Sequence, residues 1–258
     1  MILFLAGTSD ARALAIQLQN QGYPLLATVV TESAAESLNA HHIPYQVGRL
    51  SGDDMMALIQ KQKMICVIDA SHPYAEEASK TAMAAAKACD IPYIRYERPE
   101  EQFISPLISQ VDSYEEAAKL AQSHKGTIML TTGSKTLEIF AKYLIRDEIR
   151  LICRMLPNIG NMEKCHSLGI KQKDIIAIQG PFSQSLNKAL CEQFNVTLMI
   201  TKESGKVGFV DEKMTAALQL GIPVILIKRP AISYENFCTS FEEVTQLLGG
   251  FILGKHEL

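Results

Sequence analysis

Short apolar runs alternate with amphipathic stretches along the whole chain. In the first half, ILFLA (2–6), LLATVV (25–30), YQV (45–47), CVIDA (66–70) and YIRY (93–96) predict strands. Between them, apolar positions recur at helical spacing at about 10–21, 34–41, 52–62 and 75–89. The second half repeats the scheme with TIMLT (127–131), IRLIC (149–153), IIAI (175–178), TLMIT (197–201) and VILIK (224–228). Its helices are predicted to start near 135, 160, 183 and 209. Continuous Ile, Val and Leu strands separated by helices predict parallel sheets covered on both faces. Right-handed crossovers make each half a doubly wound layer. The expected fold class is therefore α/β, with two doubly wound, Rossmann-like parallel-sheet domains and the site in the cleft between them.

A sequence echo supports two similar halves. YERP (96–99) follows the fifth strand of the first half, and IKRP (227–230) follows the fifth strand of the second. A Ser-aromatic-Glu-Glu stretch comes after each: SYEEAAKLA from Ser113 and SFEEVTQLL from Ser240. Ser113 with Glu116, and Ser240 with Glu243, have the spacing of capping boxes; two ordinary helix caps are the plainer reading. The linker is expected over 99–112, which contains Pro99 and Pro106. It divides the chain into an N-terminal Rossmann-like domain, 1–105, and a C-terminal Rossmann-like α/β domain, 106–258.

Composition narrows the function. The chain has 258 residues, 47% hydrophobic and 21% charged, the balance of a folded globular protein with material for two cores. A net charge of -3 implies no basic surface for nucleic acid, although local basic clusters can still hold an acidic small molecule. Cys66, Cys89, Cys153, Cys165, Cys191 and Cys238 include no C-x-x-C pair and lie mostly in strand or helix patterns. They read as reduced core residues, and no metal site is expected. The first apolar run is five residues long with no basic segment before it, which suits neither a signal peptide nor a membrane span. A cytoplasmic protein is expected, with the terminal KHEL a chance match to a retention signal.

In open α/β sheets, ligands bind beyond the carboxyl ends of strands. The first such loop, AGTSDAR, offers Gly7 for a tight turn, Thr8, and Ser9 for close approach and donation to a phosphate at a helix N-terminus. Asp10 can point outward, where the macrodipole favours it, and Arg12 either offsets phosphate charge or faces solvent. Only Gly7 fits the G-x-G-x-x-G pattern, so a plain strand–helix turn stays open. After the second strand, Glu32 stands where a Rossmann fold puts the acid that binds an adenosine ribose; a solvated glutamate is the alternative. DASHPYAEEAS then gathers Asp69, Ser71, His72, Pro73 and Tyr74 at one strand end. His72 can donate to a ligand or supply a proton near neutral pH, or serve as a capping or structural residue.

The second half has its own polar strand ends. They are Thr131, Thr132, Gly133, Ser134 and Lys135; Arg154; Gly180, Pro181, Phe182 and Ser183; Lys202, Ser204, Gly205 and Gly208; and Lys228 with Arg229. Together these predict an anion-binding face. Several chemistries are argued against by absence: no P-loop G-x-x-x-x-G-K-[ST], no Tyr followed four positions later by Lys, and no G-x-S-x-G elbow. A cofactor would have to carry the hard step.

The ordered set AGTSDAR, DASHPYAEEAS, IRYERP, TTGSK, GPFS, TKESG and IPVILIKRP resembles the precorrin-6A reductases, from Gly7 to Pro230. The resemblance implies reduction of one macrocycle double bond of precorrin-6A, or its cobalt counterpart, in corrin-ring synthesis, giving precorrin-6B or its cobalt form. It implies NADH or NADPH as the reductant, with Glu32 favouring NADH, and a polycarboxylate tetrapyrrole as partner. Gly7, Thr8, Ser9, Arg12, Glu32, Ser71, His72 and Pro73 are then expected at the cofactor, with His72 as a possible proton donor. Thr132, Gly133, Ser134, Lys135, Arg154, Gly180, Phe182, Ser183, Lys202, Ser204, Gly205 and Arg229 are expected at substrate or cofactor. Lys206 departs from the family's usual glycine, which leaves the tightness of that turn open. Two rivals remain: a non-catalytic dinucleotide-sensing protein, and a redox-independent tetrapyrrole isomerase.

Overall fold

The structure, a computed structural model, describes residues 1–99, 104–203 and 212–253. It divides into two compact units, one of Met1–Pro99 with Pro230–Leu258, the other of Glu100–Arg229.

The first unit runs β1 (Ile2–Ala6), α1 (Ser9–Asn20), β2 (Leu25–Val29), α2 (Glu32–Asn39), β3 (Tyr45–Val47), α3 (Gly52–Lys61), β4 (Cys66–Ala70), α4 (Glu76–Ala88) and β5 (Tyr93–Tyr96). The second runs β6 (Ile108–Val111), α5 (Tyr114–Ala121), β7 (Gly126–Leu130), α6 (Leu137–Leu144), β8 (Ile149–Met155), α7 (Ile159–Ser167), β9 (Ile175–Ala177), α8 (Gln184–Gln193), β10 (Leu198–Lys202), α9 (Glu212–Gln219) and β11 (Val224–Ile227). The chain then returns to the first unit as β12 (Phe237–Cys238) and α10 (Phe241–Leu253).

Each sheet has six strands, in the orders β12-β5-β4-β1-β2-β3 and β6-β11-β10-β7-β8-β9. All the strand pairs in these ladders are parallel. The two orders correspond position for position, as the echo predicts. The expected fold class, two parallel-sheet α/β layers, is what the chain forms.

The domain boundary needs a correction. The expected C-terminal domain ran to the chain end, yet 230–258 belongs to the first unit. There β12 pairs with β5, and Val244 and Leu248 of α10 enter the core beside Ile2, Phe4 and Leu14. The expected linker also contains a strand, β6, which pairs with β11. The edge strand of each sheet thus follows, in chain order, the fifth strand of the other unit. YERP and IKRP mark those two exits, which is why they look alike.

The cores follow from strand alternation. In β1, Ile2 and Phe4 face the core built with α1, α2 and α10, while Leu3 and Leu5 face the one built with α3 and α4. In β7, Ile128 and Leu130 meet the residues of α5 and α6, and Met129 meets those of α8 and α9. Burying one such Phe or Leu side chain is worth about 1.5–3 kcal/mol. Of the expected capping boxes, Ser240 and Glu243 form a reciprocal pair, with bonds of 3.2 and 3.3 Å. Ser113 caps the Glu116 amide at 3.1 Å, but Glu116 accepts from Asp112 N instead. The six cysteines are free thiols, five of them buried, and burial pushes Cys238 up to about 11. Among the described residues no helix is long and apolar enough to cross a membrane, and no group of three or more His, Cys, Asp or Glu could hold a metal ion.

Candidate functional site

Both sheets have a topological switch point, where the connections from two adjacent strands run in opposite directions. It falls between β1 and β4 in the first unit and between β7 and β10 in the second. Ligand crevices form at the carboxyl ends of such strand pairs.

In the first unit, Gly7 and the Ser71–His72 backbone are packed against each other. A β-carbon on Gly7 would lie 3.3 Å from His72 N and 3.5 Å from Ser71 Cα. Glycine leaves the two loops in close contact without asking either backbone to give. Thr8 is the N-cap of α1, its hydroxyl accepting from Ala11 N at 3.1 Å. Ser9 is exposed at the start of α1, and Arg12 is half-buried one turn on. Asp10 is paired with Arg98, whose Nε lies 2.5 Å from Oδ2. Glu32 is exposed at the first position of α2, behind the Thr31 cap.

The β4 loop is tied from below. Asp69 and Arg95 are both fully buried, with Nη1 2.8 Å from Oδ1. Arg95 donates to Ser71 Oγ at 3.1 Å, to Ser71 O at 3.0 Å and to Glu97 Oε1 at 2.9 Å. Tyr93 donates to Asp69 Oδ2 at 2.7 Å. Burial first, then the Asp69 carboxylate, pushes the Tyr93 hydroxyl well above its usual range, so it keeps its proton. For Arg95, burial opposes the charge, but Asp69 and Glu97 outweigh it and raise the pKa. Above this network His72 O accepts from Ala75 N at 2.7 Å across a turn that places Pro73 second, where its fixed φ suits the bend. His72 Nδ1 accepts from Tyr74 N at 3.2 Å, so in the neutral ring Nε2 carries the proton.

In the second unit the carboxyl ends of β10, β7, β8 and β9 surround a cavity of about 430 Å³. Of the residues expected from sequence, Thr132, Gly133, Arg154, Gly180, Phe182 and Lys202 line it. Gly133 turns at φ +85°, a conformation open to glycine. The Arg154 guanidinium stacks 4.6 Å from the Phe182 ring centre and donates to Asn187 Oδ1 at 2.7 Å. Asn187 in turn donates to Ser183 O at 2.8 Å. A β-carbon on Gly180 would lie 3.1 Å from the Phe182 ring, so glycine makes room for that stack. Lys202 has its pKa lowered, by burial first, then by Lys213 and Lys135. Lys213 lines the cavity beside Glu212, so the lining carries both signs of charge with cations in excess. The β8–β9 side is apolar: Met155, Leu156 and Ile178 line it, and Leu156 remains 55% exposed.

Other expected residues stand elsewhere. Ser183 caps α8, accepting from Leu186 N at 3.2 Å. Arg229 is ion-paired with buried Glu203 at 2.8 Å instead of lining the cavity. Ser134 and Lys135 do not line it either, though Lys135 acts on Lys202 electrostatically. Ser204, Gly205, Lys206 and Gly208 lie outside the described residues. Sequence reading missed Arg95, Tyr234, Asn187 and Lys213. An arginine inside the YIRY strand and an asparagine on the buried face of α8 were the available signals.

Comparison with known proteins agrees with this architecture. The family model described as precorrin-6x reductase CbiJ/CobK matches residues 1–249. The cobalt-precorrin-6A reductase of Priestia megaterium is 52% identical over 249 residues, covering 96% of this chain and 98% of that protein. The precorrin-6A reductase of Rhodobacter capsulatus is 26% identical over 246 residues, covering 94% and 93%. The solved structure of CobK precorrin-6A reductase superposes with a TM-score of 0.77 at 25% identity, covering 97% of this chain and 96% of that one. The chain belongs to the precorrin-6x reductase CbiJ/CobK family.

Proposed function

We propose that this protein reduces one carbon–carbon double bond of cobalt-precorrin-6A, using NADH or NADPH and giving cobalt-precorrin-6B. The observation that carries the reading is the convergence of Arg154, Lys202 and Lys213, three cations against the single carboxylate Glu212 among the lining residues, at a switch-point cavity in a reductase of this family. The cobalt form is favoured because identity is 52% to a cobalt-precorrin-6A reductase against 26% to a precorrin-6A reductase.

The residues of the first unit fit a nicotinamide nucleotide. Asp10, the one carboxylate that would repel a phosphate at α1, is neutralised by Arg98. Gly7 and Ser9 keep the loop small, and the amino end of α1 favours an anion. Glu32 suits a ribose hydroxyl pair and disfavours a 2′-phosphate, which makes NADH the preferred form. When bound, the reduced nicotinamide supplies hydride to the macrocycle.

The second unit suits the substrate. Its cationic side, Lys202, Lys213 and Arg154, pairs with peripheral carboxylates, and the apolar side, Met155, Leu156 and Ile178, lies along the ring. Arg154 is held in one orientation by Phe182 and Asn187, so it fixes a carboxylate's direction as well as its charge. His72, with Nδ1 held as an acceptor, offers Nε2–H as a hydrogen-bond donor to the charge that develops on the macrocycle, and solvent supplies the proton to the carbon adjacent to the reduced one.

Purified protein given cobalt-precorrin-6A and either nicotinamide should consume the reduced-nicotinamide absorbance in step with loss of substrate. Absence of turnover with both nicotinamides, for both the cobalt and metal-free macrocycles, would falsify the proposal.

A further inference from the structure

We infer that Arg95 is a positioning residue for His72, fixing through Asp69 and Ser71 the turn that carries the imidazole. Its effect on turnover rests on the reading that His72 works in the reaction; its effect on the ring does not.

Arg95 lies in β5 with no exposed surface, and its guanidinium fork is used completely. Nε and Nη2 reach Glu97 Oε1 at 2.9 and 2.8 Å. Nη1 reaches Asp69 Oδ1 at 2.8 Å and Ser71 Oγ at 3.1 Å, and Nη2 reaches Ser71 O at 3.0 Å. Asp69 Oδ1 also accepts from Ser71 N at 2.9 Å. Ser71 is thereby gripped at its amide, its hydroxyl and its carbonyl, one peptide before His72. The Tyr234 ring covers the guanidinium at 5.5 Å, brought there by the segment that returns from the second unit.

Replacing a buried ion pair by well-packed apolar residues is often neutral or stabilising, so stability alone is weak grounds for these charges. The buried charges are therefore better explained by what they orient. They hold the backbone on which His72 Nδ1 meets Tyr74 N, and that contact keeps the ring proton on Nε2. A lysine at position 95 can keep the charge opposite Asp69 but cannot grip two Ser71 oxygens at once.

The test uses the full chain labelled with ring-nitrogen-15 histidine, compared among wild type, Arg95→Lys, His72→Ala and the double variant. The His72 signals, identified by their loss in His72→Ala, should show a protonated Nε2 and a bare Nδ1. In folded Arg95→Lys they should move toward the tautomer average, while the other five of the six histidines stay put. Turnover should fall in Arg95→Lys by about tenfold or more with KM within about threefold, and fall no further in the double variant than in His72→Ala. Wild-type His72 ring signals in Arg95→Lys overturn the inference, as do losses that add in the double variant. If His72→Ala turns over normally, the role of His72 in the reaction is lost and the ring signals alone decide the case for Arg95. Should Arg95→Lys not fold, Ser71→Ala removes one grip and must shift the same ring signals in the same direction; unchanged signals count against the inference.

Discussion

Arg154 and Phe182 form a stacked pair in the second unit, the guanidinium carbon 4.6 Å from the ring centre. They come from different strand ends, and Gly180 leaves the space that lets them meet. The pair turns a flexible cation into an oriented one. Phe182→Leu keeps the bulk and removes the π face, so carboxylate binding should weaken by roughly 2- to 30-fold, the worth of a cation–π contact. Titration of the variant with the macrocycle measures this; unchanged affinity means the ring contributes only packing.

Lys202 carries an electrostatic cost in the folded protein. Burial, then Lys213 and Lys135, lowers its pKa, so charging it is harder in the folded protein than in the unfolded chain. The penalty is full below the folded pKa and disappears as pH rises through the unfolded value. Lys202→Met should therefore raise the melting temperature of the ligand-free protein at neutral pH, with the gain shrinking at alkaline pH. The same variant should bind the macrocycle more weakly. A melting temperature that drops, or affinity that holds, counts against a strained cation kept for binding.

Asp69 and Arg95 are a fully buried ion pair, and Glu97 is the guanidinium's second carboxylate. Asp69→Ala leaves the guanidinium with one carboxylate fewer, and unfolding in urea should show a loss of about 3–5 kcal/mol. A loss under about 1 kcal/mol would put the energetic centre of this network elsewhere.

Gly7→Ala brings a methyl to 3.3 Å from His72 N, so the His72 backbone must give by a few tenths of an ångström. A loss of roughly 1–3 kcal/mol is expected from overpacking, together with slower turnover because the His72 loop must shift. Normal stability and normal rate would show that the two loops have slack.

Glu32 is exposed at the start of α2, where its carboxylate can reach a ligand without breaking any internal contact. Glu32→Ser should raise NADPH use relative to NADH in steady-state kinetics. An unchanged ratio would remove Glu32 from cofactor choice.

Most of the fold was legible because strand and helix periods are strong signals in buried parallel sheets. Ten strands were read within a residue or two, down to three-residue β3 and β9. The two missed strands, β6 and β12, are sheet edges: ISQV of β6 has two polar residues at its centre, and β12 has only two residues. The return of 230–258 was hidden for a related reason: α10 has the same amphipathic form whichever core it covers. In the second unit, loop composition identified six of the cavity's residues, since the carboxyl ends of the strands are where a parallel sheet opens a crevice. It could not show that Ser183 also caps α8 or that Arg229 also pairs with Glu203. Arg95 was missed because a single charge inside an apolar strand gives no hint of partners on Asp69, Ser71 and Glu97.

Direct transfer from nicotinamide to macrocycle is tested most sharply by isotope. The reduced nicotinamide is deuterated at its transferable position, turnover with cobalt-precorrin-6A is run in ordinary water, and the product is weighed by mass spectrometry. One deuterium in each product molecule is the expected result. Product formed without label, or label that appears only when the solvent is deuterated, would contradict it.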